Sequence, residues 1–524
     1  MDNNGVGSWL RRRRPKSGPK TAVVAGQRTL SYAELSDRAD RLANAFRERG
    51  VAKGDRVAYL GENDPSFVET FFACGLLGAI FVPLNTRLAA PELQFQLQDS
   101  GSRLLVNAEG LDGLAAASVV DTDVQHRLVV PFANADGGAS PAPSVEPSRV
   151  ETEGIEAYEE VLQGAPGDAI DVAVSLDDGA MILYTSGTTG KPKGALLTHG
   201  NITWNCINVI VDMDLNRNDV ALMISPLFHV ASLDMGLLPM LLKGATVVLE
   251  ARFDPGRVLE IIGRHRVTSL NGVPTTFQML CEHPDWATAD LSSLDKLTCG
   301  GSAVPRRVLD AYEERGIGFT SCYGMTETAP GATMLPVERS RDKAGSAGLP
   351  EFFTDVRIAD PLGGSSFAGE IGEIQISGPN VIKEYWNRPD ATIESYADSH
   401  WFRSGDMGYR DDEGFLFVSD RLKDMIISGG ENIYPAEVEA AIAELEAVAS
   451  VAVIGIDDDK WGEVPRAIVT LREGASLTEE QLRAHLEGRL ARYKIPKSMV
   501  FVDEMPRTAS GKIRKVELRK QFAH

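Results

Sequence analysis

The residues best suited to bind a polyphosphate run from Tyr184 to Gly194, with the sequence Tyr-Thr-Ser-Gly-Thr-Thr-Gly-Lys-Pro-Lys-Gly. Its glycines permit a tight turn that brings backbone N–H groups close to a ligand. Its hydroxyl side chains add donors, and Lys191 and Lys193 add positive charge. Pro192 follows Lys191, so this is not a Walker A loop, which requires Ser or Thr after Gly-Lys. The pattern predicts a phosphate-binding loop between two buried strands; an ordinary polar hairpin loop is the alternative.

Four later clusters offer chemistry that complements such a loop. They are Tyr-Gly-Met-Thr-Glu at 323–327, Trp-Phe-Arg-Ser-Gly-Asp at 401–406, Asp-Arg-Leu-Lys-Asp at 420–424 with Ser-Gly-Gly-Glu-Asn at 428–432, and Pro-Arg-Thr-Ala-Ser-Gly-Lys at 506–512. Tyr323 can stack on a base, Glu327 can hold Mg²⁺, and Asp406 can grip ribose hydroxyls. Each cluster alone also fits an ordinary turn, a solvated linker or an exposed terminus.

The elements that must position these clusters alternate between strand and helix. That rhythm predicts an α/β fold with parallel sheet and helices on its faces. Strands ending near 224, 271 and 299 lead into polar or Gly-rich corners, where ligands of open α/β sheets bind. Short alternating segments between Gly345 and Gly378 predict a small β subdomain, and a compact unit follows from Met425.

Composition narrows the class of protein. The chain has 524 residues, 43% hydrophobic and 24% charged, which is typical of a soluble protein of at least two domains. A net charge of −21 argues against nucleic acid as a partner. The five cysteines lack Cys-x-x-Cys spacing, which predicts free thiols in the cytoplasm and no zinc site. The sequence has no secretory signal, and we expect Arg11–Arg14 to be the solvated face of a helix, with peripheral membrane contact as the alternative.

Together and in this order, the five motifs resemble the adenylate-forming superfamily of acyl-CoA synthetases, amino-acid-adenylating domains and beetle luciferases. The resemblance covers the chain from about residue 20 to its end. The stretch 420–439 is most similar to bacterial fatty acyl-CoA ligases. The resemblance implies an α/β fold with a large N-terminal domain of mixed and parallel sheets with flanking helices plus a small β subdomain. It also implies a small mobile α+β C-terminal domain, with domains at 1–422 and 423–524.

The resemblance also implies which residues bind ATP. The set is Thr185, Ser186, Gly187, Thr188, Thr189, Gly190, Lys193, Gly300, Gly301, Ser302, Tyr323, Gly324, Asp406 and Arg421. Tyr323 would flank adenine, and Asp406 and Arg421 would hold the ribose. Thr185 and Glu327 would lie near Mg²⁺. The implied catalytic residues are Lys512, Thr326 and Glu327, with Lys512 bridging the carboxylate and the α-phosphate.

The same resemblance places the acid and CoA. His229 stands where relatives carry an aromatic gate, and the expected acyl pocket comprises Asn205, Val230, Met325, Ala329 and Gly331. No acidic residue follows Phe228 directly, which disfavours amino-acid activation. The C-terminal domain would rotate about Lys423 between half-reactions. Gly429 and Gly430 would then line a tunnel for the pantetheine thiol of CoA.

The sequence therefore predicts an ATP- and Mg²⁺-dependent carboxylic acid–CoA ligase that forms an acyl-adenylate and then a thioester. We expect a medium- or long-chain fatty acid as its substrate. Two alternatives stay open within enzymes: an aryl-CoA ligase for benzoate- or cinnamate-like acids, and an adenylating enzyme that loads a carrier protein. A third alternative is a nucleotide-binding protein without turnover, which the presence of Lys512, Glu327 and Asp406 disfavours.

Overall fold

The chain is described here by a computed structural model. The structure describes residues 2–131, 154–185, 192–300, 304–359, 366–398, 400–421, 424–428, 431–458, 461–487, 489–490, 492–508 and 512–523. The predicted sites Ser186, Gly187, Thr188, Thr189, Gly190, Gly301, Ser302, Lys423, Gly429 and Gly430 lie outside these ranges.

The chain up to residue 131 alternates helices and strands. Its helices are α1 Trp9–Ser17, α2 Tyr32–Glu48, α3 Pro65–Leu77, α4 Ala90–Ser100 and α5 Asp112–Ser118. Its strands are β1 Thr21–Ala25, β2 Arg28–Ser31, β3 Arg56–Leu60, β4 Ile80–Pro83, β5 Ser102–Ala108 and β6 His126–Val130.

The middle of the chain continues the alternation. Its helices are α6 Tyr158–Gly164, α7 His199–Asp212, α8 Leu238–Lys243, α9 Pro255–His265, α10 Pro274–Cys281 and α11 Arg306–Glu313, with a π-helix at Ala231–Leu237. Its strands are β7 Ile155–Ala157, β8 Gly179–Thr185, β9 Lys193–Thr198, β10 Val220–Met223, β11 Thr246–Leu249, β12 Ser269–Gly272, β13 Lys296–Gly300, β14 Phe319–Gly324, β15 Gly331–Met334, β16 Leu349–Pro350 and β17 Asp355–Ala359.

The last part contains shorter helices and longer strands. The helices are α12 Pro389–Glu394, α13 Pro435–Ala443, α14 Glu479–Leu486 and α15 Lys515–Phe522. The strands are β18 Gly372–Ser377, β19 Glu384–Tyr385, β20 Phe402–Arg410, β21 Leu416–Arg421, β22 Ile426–Ser428, β23 Glu431–Ile433, β24 Val448–Asp458, β25 Gly462–Leu471 and β26 Ser498–Phe501.

Two large sheets with parallel centres form the body of the molecule. The first has the order β16-β15-β14-β13-β12-β10-β11-β1-β2, and the second has the order β19-β9-β8-β4-β3-β5-β6-β7. A single apolar core joins faces of both sheets to α2, α3 and α7. Because parallel sheets are covered on both faces, their strands read as apolar runs. The predicted α/β architecture is confirmed.

Local sequence signals set several boundaries near the site. Ser31 begins α2 through a capping box with Glu34, as its spacing predicts. Thr198 caps α7 in the same way, with Asn201 as the reciprocal partner. The Asn201 side chain also donates to the carbonyl of Val381 at 2.8 Å, which ties the start of α7 to the segment before β19. The bond between Asn201 and Val381 therefore fixes the start of α7 relative to the segment before β19.

The small β subdomain is a four-stranded antiparallel sheet of order β17-β18-β20-β21. The C-terminal unit has five strands, with β22 to β26 arranged around its own two apolar clusters. A separate core is expected of a separate domain. The boundary at residue 423 stays a prediction, because residues 422–423 lie outside the described ranges.

The arginine run in α1 is partly the expected solvated face, since Arg12 and Arg14 are exposed, but three of its side chains also make specific contacts. Arg11 pairs with Asp40 and Arg14 pairs with Asp37, both on α2, and Arg13 donates to the carbonyl of Leu242 at 2.7 Å. The sequence could not indicate these ion pairs, because the acidic partners lie on the next helix, more than 20 residues further along the chain.

Within the described ranges, none of the helices combines the length and apolarity needed for a membrane span.

Candidate active site

The predicted phosphate-binding loop lies between two strands, β8 and β9, which form an antiparallel pair. In β8 and β9, Thr185 lies opposite Lys193 and Tyr184 lies opposite Gly194. A Cβ atom on Gly194 would lie 2.6 Å from Ile182, so glycine is needed for the close packing of these strands. Thr185 and Lys193 are therefore held side by side, and Thr185 contacts Glu327 in the turn after β14.

Thr185 and Glu327 meet although they are 142 residues apart in the sequence. The Thr185 hydroxyl donates to the Glu327 carboxylate at 3.4 Å, and the Tyr385 hydroxyl donates to the same oxygen at 2.8 Å. Lys193 Nζ lies 5.4 Å from the centre of the Tyr385 ring. Burial first, and then the Glu327 charge, raises the pKa of Tyr385, so its hydroxyl remains a donor. Sequence reasoning missed Tyr385, because only the pairing of β19 with β9 brings it here.

These oxygens fit a magnesium ion. Mg²⁺ binds hard oxygen ligands and commonly takes one or two from the protein, with the rest from phosphates and water. The Thr185 hydroxyl and the Glu327 carboxylate provide such a pair at the end of the predicted phosphate loop. Among the described residues there is no cluster of three or more His, Cys, Asp or Glu side chains that could hold a metal alone. The pair therefore suits an ion that arrives with a polyphosphate.

The predicted nucleoside residues come together at the ends of β14 and β13 and in the middle of β20. The Tyr323 hydroxyl donates to Asp406 at 2.7 Å, and Asp406 is 6% exposed. Asp406 lies opposite Arg421 in the pairing of β20 with β21. Gly300 ends β13 beside β14, where it lies opposite Cys322. The structure thus brings Gly300, Tyr323, Asp406 and the backbone of Arg421 to one region, as the sequence predicts for a nucleoside site.

The backbone of the turn from Gly324 to Gly331 is constrained by close packing and by hydrogen bonds. A Cβ atom on Gly324 would lie 1.6 Å from the carbonyl oxygen of Pro330. Ala329 has a φ of 60°, in the left-handed region. Asn380 donates to the carbonyls of Thr328 and Gly331, each at 2.7 Å. The turn therefore holds Thr326 and Glu327 on one side and the predicted acyl pocket on the other.

The predicted acyl-pocket residues also lie together. The Asn205 side chain accepts from the backbone N–H of Gly331 at 3.0 Å and donates to the carbonyl of Asp234 at 2.8 Å. Met325 packs against the main core, and Ala329 and Val230 belong to it. Asn205 therefore joins three elements, α7, β15 and the π-helix, into one wall.

His229 is a neutral side chain beside this wall. Burial first, and then the charges of Lys512 and Arg87, lowers its pKa to about 4. Its ring lies 4.8 Å from that of Phe228. A neutral, buried imidazole fits the predicted role of a gate better than that of an acid–base catalyst near neutral pH.

Lys512 faces the same cleft from the C-terminal unit. Its positive charge acts on His229 and on Cys322, whose pKa is raised to about 12 mainly by burial. Its backbone N–H donates to the Thr508 hydroxyl at 3.1 Å, and its carbonyl accepts from the Thr508 N–H at 2.7 Å. These two bonds brace the segment that carries the lysine.

Comparison with known proteins agrees with this geometry. The sequence model of the AMP-binding enzyme family matches residues 10–386, and that of the AMP-binding enzyme C-terminal domain matches residues 437–512. A feruloyl-CoA synthase of Amycolatopsis sp. is 49% identical over 100% of both chains. An indoleacetate–CoA ligase of Aromatoleum aromaticum is 42% identical over 99% of this chain and 98% of that protein. The solved structure of a Mycobacterium tuberculosis fatty acyl CoA synthetase is 36% identical, with a TM-score of 0.77 over 99% of this chain and 98% of that one.

The fold and the matched family define an adenylate-forming enzyme: the chain belongs to the AMP-binding enzyme family. Within that class it is an AMP-forming acid–CoA ligase. The predicted superfamily, fold and enzyme class are confirmed.

Proposed function

We propose that the enzyme activates an aromatic carboxylic acid, which is the alternative that the sequence left open beside a fatty acid. The observation that carries this proposal is the identity, over the full chain, of 49% to a feruloyl-CoA synthase and of 42% to an indoleacetate–CoA ligase. Both named acids carry a ring attached to a short carboxylate arm. The wall of Asn205, Gly331 and the π-helix would bound the space for that ring.

In the first half-reaction, a carboxylate oxygen of the acid attacks the α-phosphorus of ATP, and pyrophosphate leaves. The loop between Thr185 and Lys193 holds the phosphates, and Tyr323 and Asp406 hold the nucleoside. Thr185 and Glu327 would hold Mg²⁺, which would supply positive charge against the phosphates when bound. Lys512 offsets the repulsion between the carboxylate and the polyphosphate, since a charge at about 4 Å with an effective dielectric of about 20 contributes about 4 kcal/mol.

In the second half-reaction, the thiol sulfur of CoA attacks the acyl carbonyl, the acyl–phosphate bond breaks and AMP leaves. His229 precedes the predicted pocket residue Val230 in the chain, and the charge of Lys512 acts on it, so its ring would control access of the thiol. Because the imidazole is neutral, it can turn without carrying a charge through an apolar region. Gly429 and Gly430 keep their predicted role in the pantetheine tunnel.

The test is a CoA-thioester assay across ferulate, indole-3-acetate, benzoate, acetate, octanoate and palmitate. We expect an aromatic acid to have the highest kcat/KM, by about tenfold or more, since a shaped pocket discriminates by a few kcal/mol. An aliphatic acid ahead of every aromatic acid by that factor would overturn the proposal. Adenylate formation without transfer to CoA would instead support the carrier-protein alternative.

A medium- or long-chain fatty acid is the second candidate. The fatty acyl CoA synthetase from Mycobacterium tuberculosis and the resemblance of residues 420–439 to fatty acyl-CoA ligases favour it. The same panel separates the two candidates, because octanoate and palmitate lack a ring but fill a long apolar channel.

A further inference from the structure

Asp99, near the end of helix α4, contacts two distant segments of the chain. One of its carboxylate oxygens accepts a hydrogen bond from the Tyr184 hydroxyl at 2.9 Å, and the other pairs with Arg388. Its backbone carbonyl accepts from the indole N–H of Trp386 at 3.1 Å. Tyr184 lies 85 residues away in the sequence and Arg388 lies 289 residues away. The Asp99 side chain is 10% exposed, so it joins these segments within the protein.

The position of Asp99 is unfavourable for helix α4 itself. Asp99 lies in the last turn of α4, and that turn contains no basic residue. The C-terminal end of a helix carries partial negative charge, which disfavours a carboxylate there. The Arg388 guanidinium and the Tyr184 hydroxyl offset this cost from outside the helix. The carboxylate is therefore explained by its partners and not by the helix.

The first contact of Asp99 reaches the beginning of the predicted phosphate loop. Tyr184 is in strand β8, and successive side chains of a strand point to opposite faces. The Tyr184 hydroxyl bonds Asp99 and lies 3.2 Å from the carbonyl oxygen of Gln96, also in α4. The hydroxyl of the next residue, Thr185, instead bonds Glu327 at 3.4 Å. Asp99 therefore anchors this strand on the face opposite to the predicted magnesium ligands.

The Tyr184 hydroxyl stays a donor in this contact. Burial first, and then the charge of Asp99, raises the pKa of Tyr184, so the phenol keeps its proton. The bond between the two side chains therefore persists across the pH range in which the enzyme can be assayed.

The second contact of Asp99 reaches the turn that follows β19. Arg388, which pairs with the Asp99 carboxylate, donates its backbone N–H to the carbonyl of Tyr385 at 3.1 Å. Tyr385 pairs with β9 and donates its hydroxyl to Glu327 at 2.8 Å. Between them in the chain, the Trp386 indole donates to the Asp99 carbonyl. The turn is thus tied to α4 at two points, and it presents Tyr385 to Glu327.

We propose that Asp99 is a positioning residue for Mg²⁺-bound ATP in adenylate formation. It acts through Tyr184 and Arg388 to fix the spacing between Thr185 and Glu327, so that both oxygens suit one ion. The inference rests on the proposed roles of Thr185 and Glu327. Side chains that orient metal ligands commonly change metal affinity or activity by about 10- to 100-fold when they are removed. Loss of the Asp99 carboxylate should therefore weaken binding of the magnesium-loaded triphosphate and spare recognition of the nucleoside.

The first test measures binding without turnover. Wild type and Asp99→Ala are titrated calorimetrically with AMP and with α,β-methylene-ATP, which cannot be cleaved at the α-phosphate, each with and without Mg²⁺. We expect the Kd of the magnesium-loaded analogue to rise about tenfold or more in Asp99→Ala. The Kd of AMP should stay within about twofold, because AMP lacks the phosphates that share the metal. An equal loss for both nucleotides, or no loss for either, would overturn the inference.

The effect of Mg²⁺ on wild type separates this inference from the roles on which it rests. If Mg²⁺ tightens binding of the analogue equally in wild type and in Asp99→Ala, only the inference is overturned. If Mg²⁺ has no effect on wild type, the metal role of Thr185 and Glu327 is overturned and the inference with it. The identity of the acid is decided separately by the thioester panel.

The second test compares the two half-reactions. In Asp99→Ala, KM for ATP should rise about tenfold or more, whereas thioester formation from supplied acyl-adenylate, which needs no ATP, should stay within about twofold. Asp99→Asn keeps an acceptor for Tyr184 but lacks the charge that pairs with Arg388, so it should recover part of the loss. A similar decline of both half-reactions in Asp99→Ala would assign this residue a structural role and overturn the inference.

Asp40→Asn is the matched control. Asp40 pairs with Arg11 between α2 and α1, and its side chain is 8% exposed, nearly the same as that of Asp99. Loss of this ion pair should lower the melting temperature and leave both KM for ATP and the Kd of the magnesium-loaded analogue near wild type. A rise of these two constants in Asp40→Asn equal to that in Asp99→Ala would show a general effect of lost stability and overturn the inference.

A milder variant decides the question if Asp99→Ala does not fold. Tyr184→Phe removes one hydroxyl and keeps the ring that packs beside Leu97 and Ile182. We expect the Kd of the magnesium-loaded analogue to rise about fivefold, the equivalent of one hydrogen bond, with the Kd of AMP unchanged. Equal values for wild type and Tyr184→Phe would overturn the inference.

Discussion

At the scale of single residues, the two charged groups predicted to serve catalysis, Lys512 and Glu327, are placed in different ways. Lys512 is exposed on the C-terminal unit, yet its charge reaches His229 and Cys322 in the cleft. Glu327 instead is buried and bonded by both Thr185 and Tyr385. One group is thus carried to the reaction from outside, and the other is held in advance by the large domain.

Lys512→Ala should slow adenylate formation by roughly a thousandfold, the rate equivalent of about 4 kcal/mol. Thioester formation from supplied acyl-adenylate should remain largely intact, because no carboxylate then meets a polyphosphate. Pyrophosphate release and thioester formation, measured separately, check this. Exposed Lys520→Ala is the matched control. Equal losses in the two half-reactions would contradict the role assigned to Lys512.

Glu351 should make stability depend on pH. Burial, assisted by the charge of Asp212, raises its pKa to about 8 in the folded protein. Between its ordinary range and that value the folded state holds a proton that the unfolded state has released, so this group lowers stability as pH rises. Relative to wild type, Glu351→Gln should therefore gain stability from about pH 5 to about pH 8. Thermal melts of both proteins across that range check this, and a constant difference would contradict it.

At the scale of elements, one buried side chain holds the turn between β14 and β15. Asn380 pairs with two carbonyls of that turn, and its Oδ1 accepts from the Thr354 hydroxyl at 2.9 Å. The turn carries Thr326 and Glu327, the predicted nucleotide-side residues, and leads to Gly331 of the predicted acyl pocket. A loss of this side chain therefore affects stability and both substrate sites together.

Asn380→Ala should destabilise the protein by about 2–4 kcal/mol, because it leaves buried carbonyls without partners. Chemical denaturation measures the change. Asn218→Ala, at an exposed position, should stay within about 0.5 kcal/mol of wild type. A similarly small effect for Asn380→Ala would show that the turn is held by other contacts.

At the scale of the whole molecule, charged side chains of the C-terminal unit act on the large domain. The charge of Lys512 acts on His229, and Arg472, just after β25, pairs with Glu282, just after α10 of the large domain, at 2.9 Å. This pair is partly exposed and contributes at most about 1 kcal/mol, so it does not lock the C-terminal unit. Residues Gly429 and Gly430 are predicted to serve the other half-reaction from a different face, which requires a rotation.

Lys423→Pro should separate the two steps in the sense opposite to Lys512→Ala. Proline fixes φ near about −65°, so a rotation absorbed at this position would be blocked. Adenylate formation should survive, and thioester formation from supplied adenylate should fail. Lys423→Ala, which removes the side chain but leaves the backbone free, is the control. Thioester formation near the wild-type rate in Lys423→Pro would place the hinge elsewhere.

The sequence by itself determined the family, the α/β fold and most candidate site residues. Those signals are local: a Gly-rich loop, a capping box at Ser31 and the strand–helix rhythm each depend on neighbours in the chain. The order of the five motifs along the chain indicated the family and, through it, the candidate site residues. Residues such as Thr185, Tyr323 and Asp406 could therefore be named before their contacts were known.

Only the tertiary structure decided which distant side chains meet. Tyr385 reaches Glu327 because β19 pairs with β9, and Arg11 becomes an ion-pair partner of Asp40 because α1 packs beside α2. Asp234 and Glu351 read in the sequence as ordinary acidic residues. Their burial arises from packing between elements far apart in the chain. Burial and pairing depend on long-range contacts, which no local pattern encodes.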